Sequence, residues 1–477
     1  MDNAPEKISA FEKRVKRQVI GKPHRFLAVV PLGFEQTFVQ EMFGSSQDSI
    51  TYNIIGDGKV EFTAKLVEAW KIVAFSRIAN RVLMHISDFK AENFRDLERK
   101  ASEIPWELFL PNERSVHIHV TCKHSRLYHS DAVAERLQKV IEGGSAPLAS
   151  ASSSFRPPSR NLAEASATPS PKGSTPNTPK AEENVPPQNL YVTLIDDRCT
   201  VWLDLAGEEL YKRGHERFVN DAPLKETIAS AMIFEAISTL HIIHHQSSII
   251  NYPLSITLID PMSGSGTFSL EAAYMANGFI PGKCRDFALM HQPAFKQATW
   301  DFLIRRETRD ERREKGNNIL KIVTSDISEK AIGIIRHNVE CSPLATVAPG
   351  GTALNPQHSD FFSYTAAEIA DACPEGSSPV IVLNPPYGKR LDFDAPKLYT
   401  KIGKKLAELA RELAPLGNAL TVAILAPKDD PRPGSKYTCT ANLLRECPAL
   451  DAAKNRDAKC IVTSHGGLSL NAIFARI

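Results

Sequence analysis

The chain lacks any pairing among its eight cysteines. Cys122, Cys199 and the other six are scattered, without Cys-x-x-Cys spacing or Cys/His pairing. A disulfide framework or a zinc site needs such pairing, so both are excluded and the cysteines are predicted to be reduced thiols. We therefore expect no metal.

Long apolar runs are also lacking. No run reaches the length of about 20 residues that crosses a membrane, and residues 1–25 contain acids and no apolar segment suited to secretion. We expect a cytoplasmic protein with no membrane partner, while an organellar address stays open. An excess of charge is missing too: 57 Lys and Arg against 55 Asp and Glu give a net charge of +2, so any surface for nucleic acid must be local.

The 477 residues are enough for two or three domains. Residues 1–24 are predicted to be a basic leader, which either contacts phosphates or forms a solvated face. Residues 25–210 alternate short strands and helices, with a hairpin at Gly56–Gly58, and predict a smaller α+β domain. Within it, residues 143–188 are rich in Ser, Pro, Ala, Thr and Asn, which predicts a disordered insertion.

One loop of the α+β domain mixes cations with aromatic rings. Lys123, Arg126 and Tyr128 follow a predicted strand that ends near Thr121. RNA needs cations for its phosphates and flat partners for its bases, so these residues are candidate RNA contacts. The same composition is found in many surface loops.

A glycine-rich turn joins a strand to a helix in the second half, residues 211–477. The strand Ile256–Ile259 leads into the turn, and the helix starts at Phe268. This order allows a ligand to approach the backbone at a helix N-terminus, although the spacing is neither G-x-G-x-x-G nor a P-loop. The residues predicted to bind a nucleotide-type cofactor here are Asp260, Met262, Ser263, Gly264, Gly266 and Thr267.

Two further acids are candidate cofactor contacts, Asp326 after the next predicted strand and Asp360 before the strand that leads to Asn384. Asp326, with Ile327 beside it, ends the strand Ile319–Thr324 and could accept both ribose hydroxyls of an adenosine. Asp360 could accept from the adenine amine, with Phe361 packing on the ring, or could be an ordinary loop acid. Residues 277–318 must contain an insertion, which the periodicity of residues 296–315 predicts to be helical.

The tetrapeptide Asn384-Pro385-Pro386-Tyr387 follows the apolar run Val380–Leu383. The Asn384 amide oxygen and the Pro385 carbonyl can accept from an exocyclic amine, two prolines fix the backbone, and Tyr387 offers a face for stacking. An adenosine pocket next to an amine clamp indicates methyl transfer from S-adenosylmethionine to a planar amine. The clamp does not distinguish guanine N2 from adenine N6, and glutamine methylation in a protein uses the same tetrapeptide.

Together these segments resemble the THUMP-domain class I RNA methyltransferases, and within them the large-subunit ribosomal RNA guanine-N2 methyltransferase branch. The similarity is carried by the three site segments, by the segment joining the two domains and by the C-terminal segment: Asp260–Thr267 with Glu271–Ala273, Ser325–Ile327, Asn384–Leu391, Tyr211–Gly214 with Ala222–Glu226, and Ser464–Leu468.

The resemblance implies a ferredoxin-like/THUMP module that binds structured RNA, followed by a Rossmann-like, seven-stranded α/β domain that uses S-adenosylmethionine. It implies methylation of guanine N2, most simply in large-subunit ribosomal RNA. Asn384, Pro385, Pro386 and Tyr387 are then the catalytic residues, Asn384 also touches the cofactor, and Arg213 in the joining segment is a further RNA contact.

Three departures from the family pattern matter. Ser263 replaces a common cysteine, insertion 143–188 interrupts the THUMP region, and no second methyltransferase domain is expected after Ile477. The alternatives are a transfer RNA guanine-N2 or adenine-N6 methyltransferase and, in another class, an RNA-binding ribosome-assembly factor without catalysis.

Overall fold

The structure is a computed structural model. It describes residues 9–44, 50–111, 116–143, 186–219, 223–245, 255–314, 319–347, 350–387, 394–430, 432 and 438–477. Of the predicted insertion 143–188, only residue 143 and residues 186–188 lie within these ranges. Asn220 and Asp221, either of which the sequence predicts to cap the helix that follows, also lie outside them. The chain divides into two compact units, Met1–Ile86 with Trp202–Ile477 and Ser87–Val201. The predicted domain boundaries after residues 24 and 210 stay predictions.

The first unit begins with a helix and a π-helical turn at Lys16–Ile20. Four antiparallel strands follow, in the spatial order β2 (Thr51–Gly56), β3 (Lys59–Lys65), β1 (Pro23–Val29) and β4 (Arg81–Lys90). Asp57 and Gly58 join β2 to β3 with φ of 52° and 73°, as a two-residue hairpin turn requires, which confirms the predicted hairpin. The elements are α1 (Ala10–Val15), β1 (Pro23–Val29), α2 (Glu35–Phe43), β2 (Thr51–Gly56), β3 (Lys59–Lys65), α3 (Leu66–Phe75) and β4 (Arg81–Lys90), whose last residues enter the second unit.

The second unit contains two parallel strands, β5 (Val116–Lys123) and β6 (Gln188–Ile195). They pair with each other so that His119 lies opposite Tyr191. Its helix α5 (Ser130–Gly143) buries Val133, Leu137 and Ile141 at intervals of four residues, so one stripe of the helix faces the interior. The elements are α4 (Phe94–Ser102), β5 (Val116–Lys123), α5 (Ser130–Gly143), β6 (Gln188–Ile195) and β7 (Arg198–Asp204), which continues into the first unit.

The remainder of the first unit alternates strands with helices. The predicted helical insertion is present as α8. The elements are α6 (Glu226–His245), β8 (Ser255–Asp260), α7 (Thr267–Ala276), α8 (Gln297–Glu314), β9 (Ile319–Asp326), α9 (Glu329–Glu340), β10 (Gln357–His358), α10 (Ala366–Ala372), β11 (Ser377–Leu383), α11 (Ala395–Leu413), β12 (Thr421–Pro427), α12 (Cys439–Glu446), β13 (Ala458–His465) and β14 (Leu468–Arg476).

These strands form a seven-stranded sheet in the order β10-β9-β8-β11-β12-β14-β13. All neighbours are parallel except β14, which is antiparallel to both β12 and β13. The predicted Rossmann-like, seven-stranded α/β fold is confirmed. The strand order reverses between β8 and β11, and ligands in open α/β sheets bind beyond the carboxyl ends of the strands at such a switch point.

The core beside β11 holds this switch point in place. Ile402, Leu406, Leu409 and Leu413 recur along one face of α11 and are fully buried together with the β11 side chains. Each such side chain contributes roughly 1.5–3 kcal/mol relative to an exposed one. The carboxyl end of β11 is therefore anchored in the most apolar part of the unit. Across the described ranges, the longest helices are too short or too polar to cross a bilayer.

Candidate active site

The glycine loop, residues 261–266, lies between β8 and α7 and is hydrogen-bonded to the end of β9. Gly264 and Gly266 have φ of 55° and 80°, the left-handed region that favours glycine. A Cβ on Gly266 would lie 2.9 Å from Ile335 Cγ1, whereas a Cβ on Gly264 would meet no described atom within 4 Å. The Ser263 amide and hydroxyl both donate to the Ser325 carbonyl, at 3.1 and 2.8 Å. The loop is thus fixed, with open space in front of Gly264.

Asp260 ends β8 and is completely buried. Its Oδ2 accepts from the Ser269 amide and hydroxyl, at 3.2 and 2.7 Å, while Oδ1 has no partner among the described residues. Burial raises the pKa of this carboxyl to about 7, against the two hydrogen bonds from Ser269, which lower it. Asp260 therefore positions the start of α7 and keeps one oxygen available.

Asp326 closes the other side of the loop. Its Oδ2 accepts from the Gly264 amide at 2.8 Å and its Oδ1 accepts from the Ser328 amide at 2.9 Å. Each carboxylate oxygen has a second lone pair, so ribose hydroxyls can still be accepted. The neighbouring Ile327 is 67% exposed and is therefore accessible to a ligand.

Asp360 caps a short 3₁₀ turn, and its Oδ1 accepts from the Phe362 amide at 3.0 Å. The prediction for Phe361 is wrong, because this ring is buried in the core beside α11 and cannot lie on a ligand. The half-buried ring at this turn is Phe362. Asp360 itself stays a predicted contact.

The predicted amine clamp, Asn384–Tyr387, directly follows β11. The Asn384 Oδ1 atom is buried and has no hydrogen-bond partner among the described residues. Pro385 is buried and Pro386 is exposed. Because β11 pairs with β8 in parallel, with Ile381 opposite Ile259, Asn384 and Asp260 lie at adjacent strand ends. Two buried oxygens without described partners therefore occupy the switch point.

Tyr387 is half-buried, with its hydroxyl 3.4 Å from His465 Nδ1 at the end of β13. Burial raises the pKa of Tyr387 to about 12. Burial, followed by the charge of Lys225, lowers the pKa of His465. The phenol therefore stays protonated, and its contact with the imidazole limits the rotation of the Tyr387 ring. Stacking of that ring on a base stays a prediction.

The predicted RNA contacts of the second unit lie at its surface. Tyr128 is 69% exposed and Lys123 is exposed. Arg126 pairs with Glu92 and lies 3.7 Å from Asp197, so part of its charge is already matched. Lys123 and Tyr128 are therefore more available to a ligand than Arg126.

The prediction that Arg213 contacts RNA is wrong. The Arg213 side chain is 5% exposed, and its Nε and Nη2 donate to both oxygens of the fully buried Glu271, at 3.0 and 2.9 Å. Its Nη1 and Nη2 also donate to the carbonyls of Leu210 and Arg77, each at 3.0 Å. This guanidinium joins parts of the first unit and is out of reach of RNA.

Two residues beside the glycine loop were not predicted from the sequence. Arg217 pairs with Glu226, and its Nη2 donates to Thr267 Oγ1 at 2.5 Å. The buried Asn338 of α9 donates to the carbonyls of Phe218 and Ser265, at 2.9 and 3.3 Å. Their partners are distant in sequence, so only Arg217, in a basic segment, carries any local signal.

Comparison with known proteins identifies the second half of the chain. Residues 254–420 match the UPF0020 family model, described as an RMKL-like methyltransferase domain. This segment is similar to an RMKL-like methyltransferase domain. This domain spans β8 to α11 and most of the site described above, and the match confirms the predicted resemblance.

Relatives extend the similarity beyond the methyltransferase domain. The ribosomal RNA large subunit methyltransferase K/L of Psychromonas ingrahamii is 26% identical over 358 residues, which are 73% of this chain and 40% of that protein. The protein of the same name from Syntrophotalea carbinolica is 26% identical over 408 residues, 80% of this chain and 47% of that protein. The chain therefore spans less than half the length of these two relatives.

Solved structures share the fold. SMU.472 complexed with SAH, which is S-adenosylhomocysteine, has a TM-score of 0.65 at 20% identity over 95% of this chain and 98% of that chain. TrmN from Thermus thermophilus has a TM-score of 0.53 at 16% identity over 95% of this chain and 100% of that chain.

In the described part of this chain, no group of three or more His, Cys, Asp or Glu side chains is placed to hold a metal ion.

Proposed function

We propose that this chain transfers a methyl group from S-adenosylmethionine to the exocyclic N2 amine of a guanine in structured RNA, with large-subunit ribosomal RNA as the substrate. The observation that carries the proposal is the buried Asn384 Oδ1 atom, which lacks a partner among the described residues. Leaving a buried acceptor unpaired costs about 1–3 kcal/mol. An amine presented by a flat base removes that cost.

The residues of the methyltransferase domain fit the cofactor. Asp260, Met262, Ser263, Gly264, Gly266 and Thr267 would surround its amino-acid part, where Gly264 leaves open space and Asp260 has an unused oxygen. Asp326 would accept the ribose hydroxyls, while Ile327 and Asp360 would contact the adenine. The SMU.472 structure, which shares this fold, is complexed with SAH, and this supports the choice of cofactor.

When bound, S-adenosylmethionine supplies a methyl group on a positively charged sulfur. Asn384 Oδ1 and the Pro385 carbonyl accept the two amine hydrogens and so direct the nitrogen lone pair towards that methyl group. Tyr387 stacks on the base, which must leave its own stack to enter the site. The bond between sulfur and the methyl group would break as the methyl group is transferred to the nitrogen held by Asn384 and Pro385, and the amine proton would then leave to solvent. Positioning and exclusion of water provide the rate enhancement, so no side chain has to act as a base.

An RNA substrate is supported by the relatives that are named ribosomal RNA large subunit methyltransferases. Lys123, Arg126 and Tyr128 of the second unit would contribute contacts to RNA, as a THUMP module does in the family that the sequence resembles. The preference for guanine N2 rests on that resemblance. The cytoplasmic location stays a prediction.

The test is incubation with labelled S-adenosylmethionine and unmodified ribosomal or transfer RNA, followed by digestion to nucleosides and mass spectrometry. N2-methylguanosine in large-subunit ribosomal RNA alone is the expected product. N6-methyladenosine, or label in transfer RNA alone, would replace the proposed base or substrate. Calorimetric binding of S-adenosylhomocysteine without methylation of any RNA would indicate a protein substrate or a missing assembly intermediate, whereas absence of that binding would favour the assembly-factor alternative.

A further inference from the structure

A basic face lies on the first helical segment of the chain, α1 with the π-helical turn that continues it. Residues 9–22 contain one acid, Glu12, and five cations. Lys13, Lys16 and Arg17, which define the basic face, are exposed and lie at positions i, i+3 and i+4, so they share one side of the helix. The helix therefore presents three charges together.

The opposite side of the segment is anchored in the first unit. Val15 and Val19, four residues apart, are only 3% and 2% exposed. His24 Nε2 lies 2.7 Å from the Val19 carbonyl and fastens the end of the π-helical turn. The burial of the valines fixes which way the helix faces, so the cations point to solvent.

The charges of the basic face are not neutralised by the described parts of the chain. Lys13, Lys16 and Arg17 have no carboxylate partner among the described residues. The carboxylate of Glu12 instead accepts from the Ser9 amide at 2.8 Å in a capping box, and the Ser9 hydroxyl accepts from the Glu12 amide at 3.1 Å. A fourth exposed cation, Lys22, follows the turn at the start of β1.

The surroundings favour RNA as the partner. An amphipathic helix enters a membrane through its apolar face, but here Val15 and Val19 are already buried against the protein. A protein partner needs an apolar centre within the interface, whereas Lys13, Lys16 and Arg17 offer only point charges. Point charges on one side of a helix match the phosphate backbone of a nucleic acid.

We propose that Lys13, Lys16 and Arg17 form a phosphate-contacting surface for the RNA substrate, separate from the predicted contacts in the second unit. The inference rests on the proposed RNA substrate, and it adds a binding surface on the same compact unit that carries the methyltransferase domain. Each cation contacts one phosphate and displaces its counterion, so binding through this surface depends on salt.

The test compares the full chain with the variant Lys13→Gln/Lys16→Gln/Arg17→Gln. Binding to an in vitro transcribed large-subunit ribosomal RNA is measured by filter retention at several salt concentrations. Loss of three phosphate contacts should weaken binding about 10- to 100-fold and reduce the magnitude of the slope of log K against log salt by about 2 to 3. Affinity for S-adenosylhomocysteine, measured by calorimetry, should be unchanged, which also shows that the variant is folded.

A matched control is Arg411→Gln/Lys454→Gln/Arg456→Gln, which removes the same charge from exposed positions. Arg411 ends α11 before β12 begins, and the other two precede β13, so all three lie at the sheet edge opposite Asn384. This control should keep both the affinity and the salt slope of the unmodified chain.

Wild-type affinity and slope in the Lys13 triple variant would overturn the proposal. A variant that binds RNA normally but loses binding to phosphatidylserine vesicles would overturn it in favour of a membrane surface. If the unmodified chain binds RNA through this face without methylating it, the surface stands and the proposed function fails. If the unmodified chain does not bind RNA, both fail.

Discussion

The ion pair between Arg213 and Glu271 gives a prediction with a large expected effect. Two hydrogen bonds of 2.9 and 3.0 Å join side chains that are 5% and 0% exposed, and the Ser230 hydroxyl donates to Glu271 at 2.6 Å. Burial, the largest single effect, would raise the pKa of Glu271, but the charge and hydrogen bonds of Arg213, together with Arg77 and Ser230, hold that pKa below its usual value. The carboxylate is therefore charged and depends on Arg213.

Replacing Arg213 with Met leaves the buried carboxylate with Ser230 and the more distant Arg77 guanidinium, 3.8 Å away. Breaking one side of a buried pair costs about 3–5 kcal/mol, while replacing both sides with apolar residues costs much less. Arg213→Met should therefore lower the free energy of unfolding by about 3–5 kcal/mol, and Arg213→Met/Glu271→Leu by clearly less. Urea unfolding followed by tryptophan fluorescence and circular dichroism measures both.

Lys212→Met is the matched control, because Lys212 is the preceding cation and its pair with Glu208, 3.2 Å long, is half-exposed. Its effect should stay within about 0.5 kcal/mol. A double variant as unstable as Arg213→Met would refute the reasoning, since the loss would then not arise from an unpaired buried charge. So would an Arg213→Met variant of normal stability that binds RNA weakly, which would restore the role in RNA binding.

Three further predictions concern the site. Asn384→Ala should abolish methylation while keeping the affinity for S-adenosylhomocysteine measured by calorimetry; a fully active variant would contradict the clamp. Burial raises the pKa of Asp260 from 3.8 to about 7, so this carboxyl adds stability that is complete below about pH 4 and is lost as the pH rises through about 7; three pH units correspond to about 4 kcal/mol. Asp260→Asn should accordingly flatten the decline in the free energy of unfolding between pH 5 and 8, and equal slopes in urea titrations would count against it. Gly266→Ala places a Cβ 2.9 Å from Ile335 at φ 80° and should cost at least about 1–2 kcal/mol of stability. Gly264→Ala should instead chiefly weaken the binding of S-adenosylhomocysteine. A larger loss of stability at Gly264 than at Gly266 would reverse this assignment.

Local patterns were enough to predict the strand, loop and helix around Asp260 and the strand before Asn384. Such elements are encoded by neighbouring residues: an apolar run of strand length, then glycines that allow positive φ, then a helix. The number of strands in the sheet was predicted only from the family resemblance, and their order was not predicted, since strand pairing joins segments such as β8 and β11 that are far apart in sequence.

Burial of individual side chains could not be predicted in this way. In the segment Tyr211–Arg217 the cations look alike, yet Arg213 is buried because Glu271, in α7, lies opposite it. Phe361 and Phe362 are also adjacent and alike, and the packing of α11 decides which of them is enclosed. Asn338 gives no local signal, because its function in the structure is to join Phe218 to the glycine loop.

The position of the site follows from the same division between core and strand ends. The inward-facing side chains of α11 and the residues Val380–Leu383 of β11 are fully buried and fix the backbone up to Leu383. Beyond that point Asn384, like Asp260 on the adjacent strand, keeps a buried oxygen with no partner among the described residues. Each such oxygen costs about 1–3 kcal/mol in the free protein, and a ligand that donates a hydrogen bond to it removes this cost. The site should therefore favour a base with an exocyclic amine over a base of the same shape without one, because the second base would leave Asn384 unpaired.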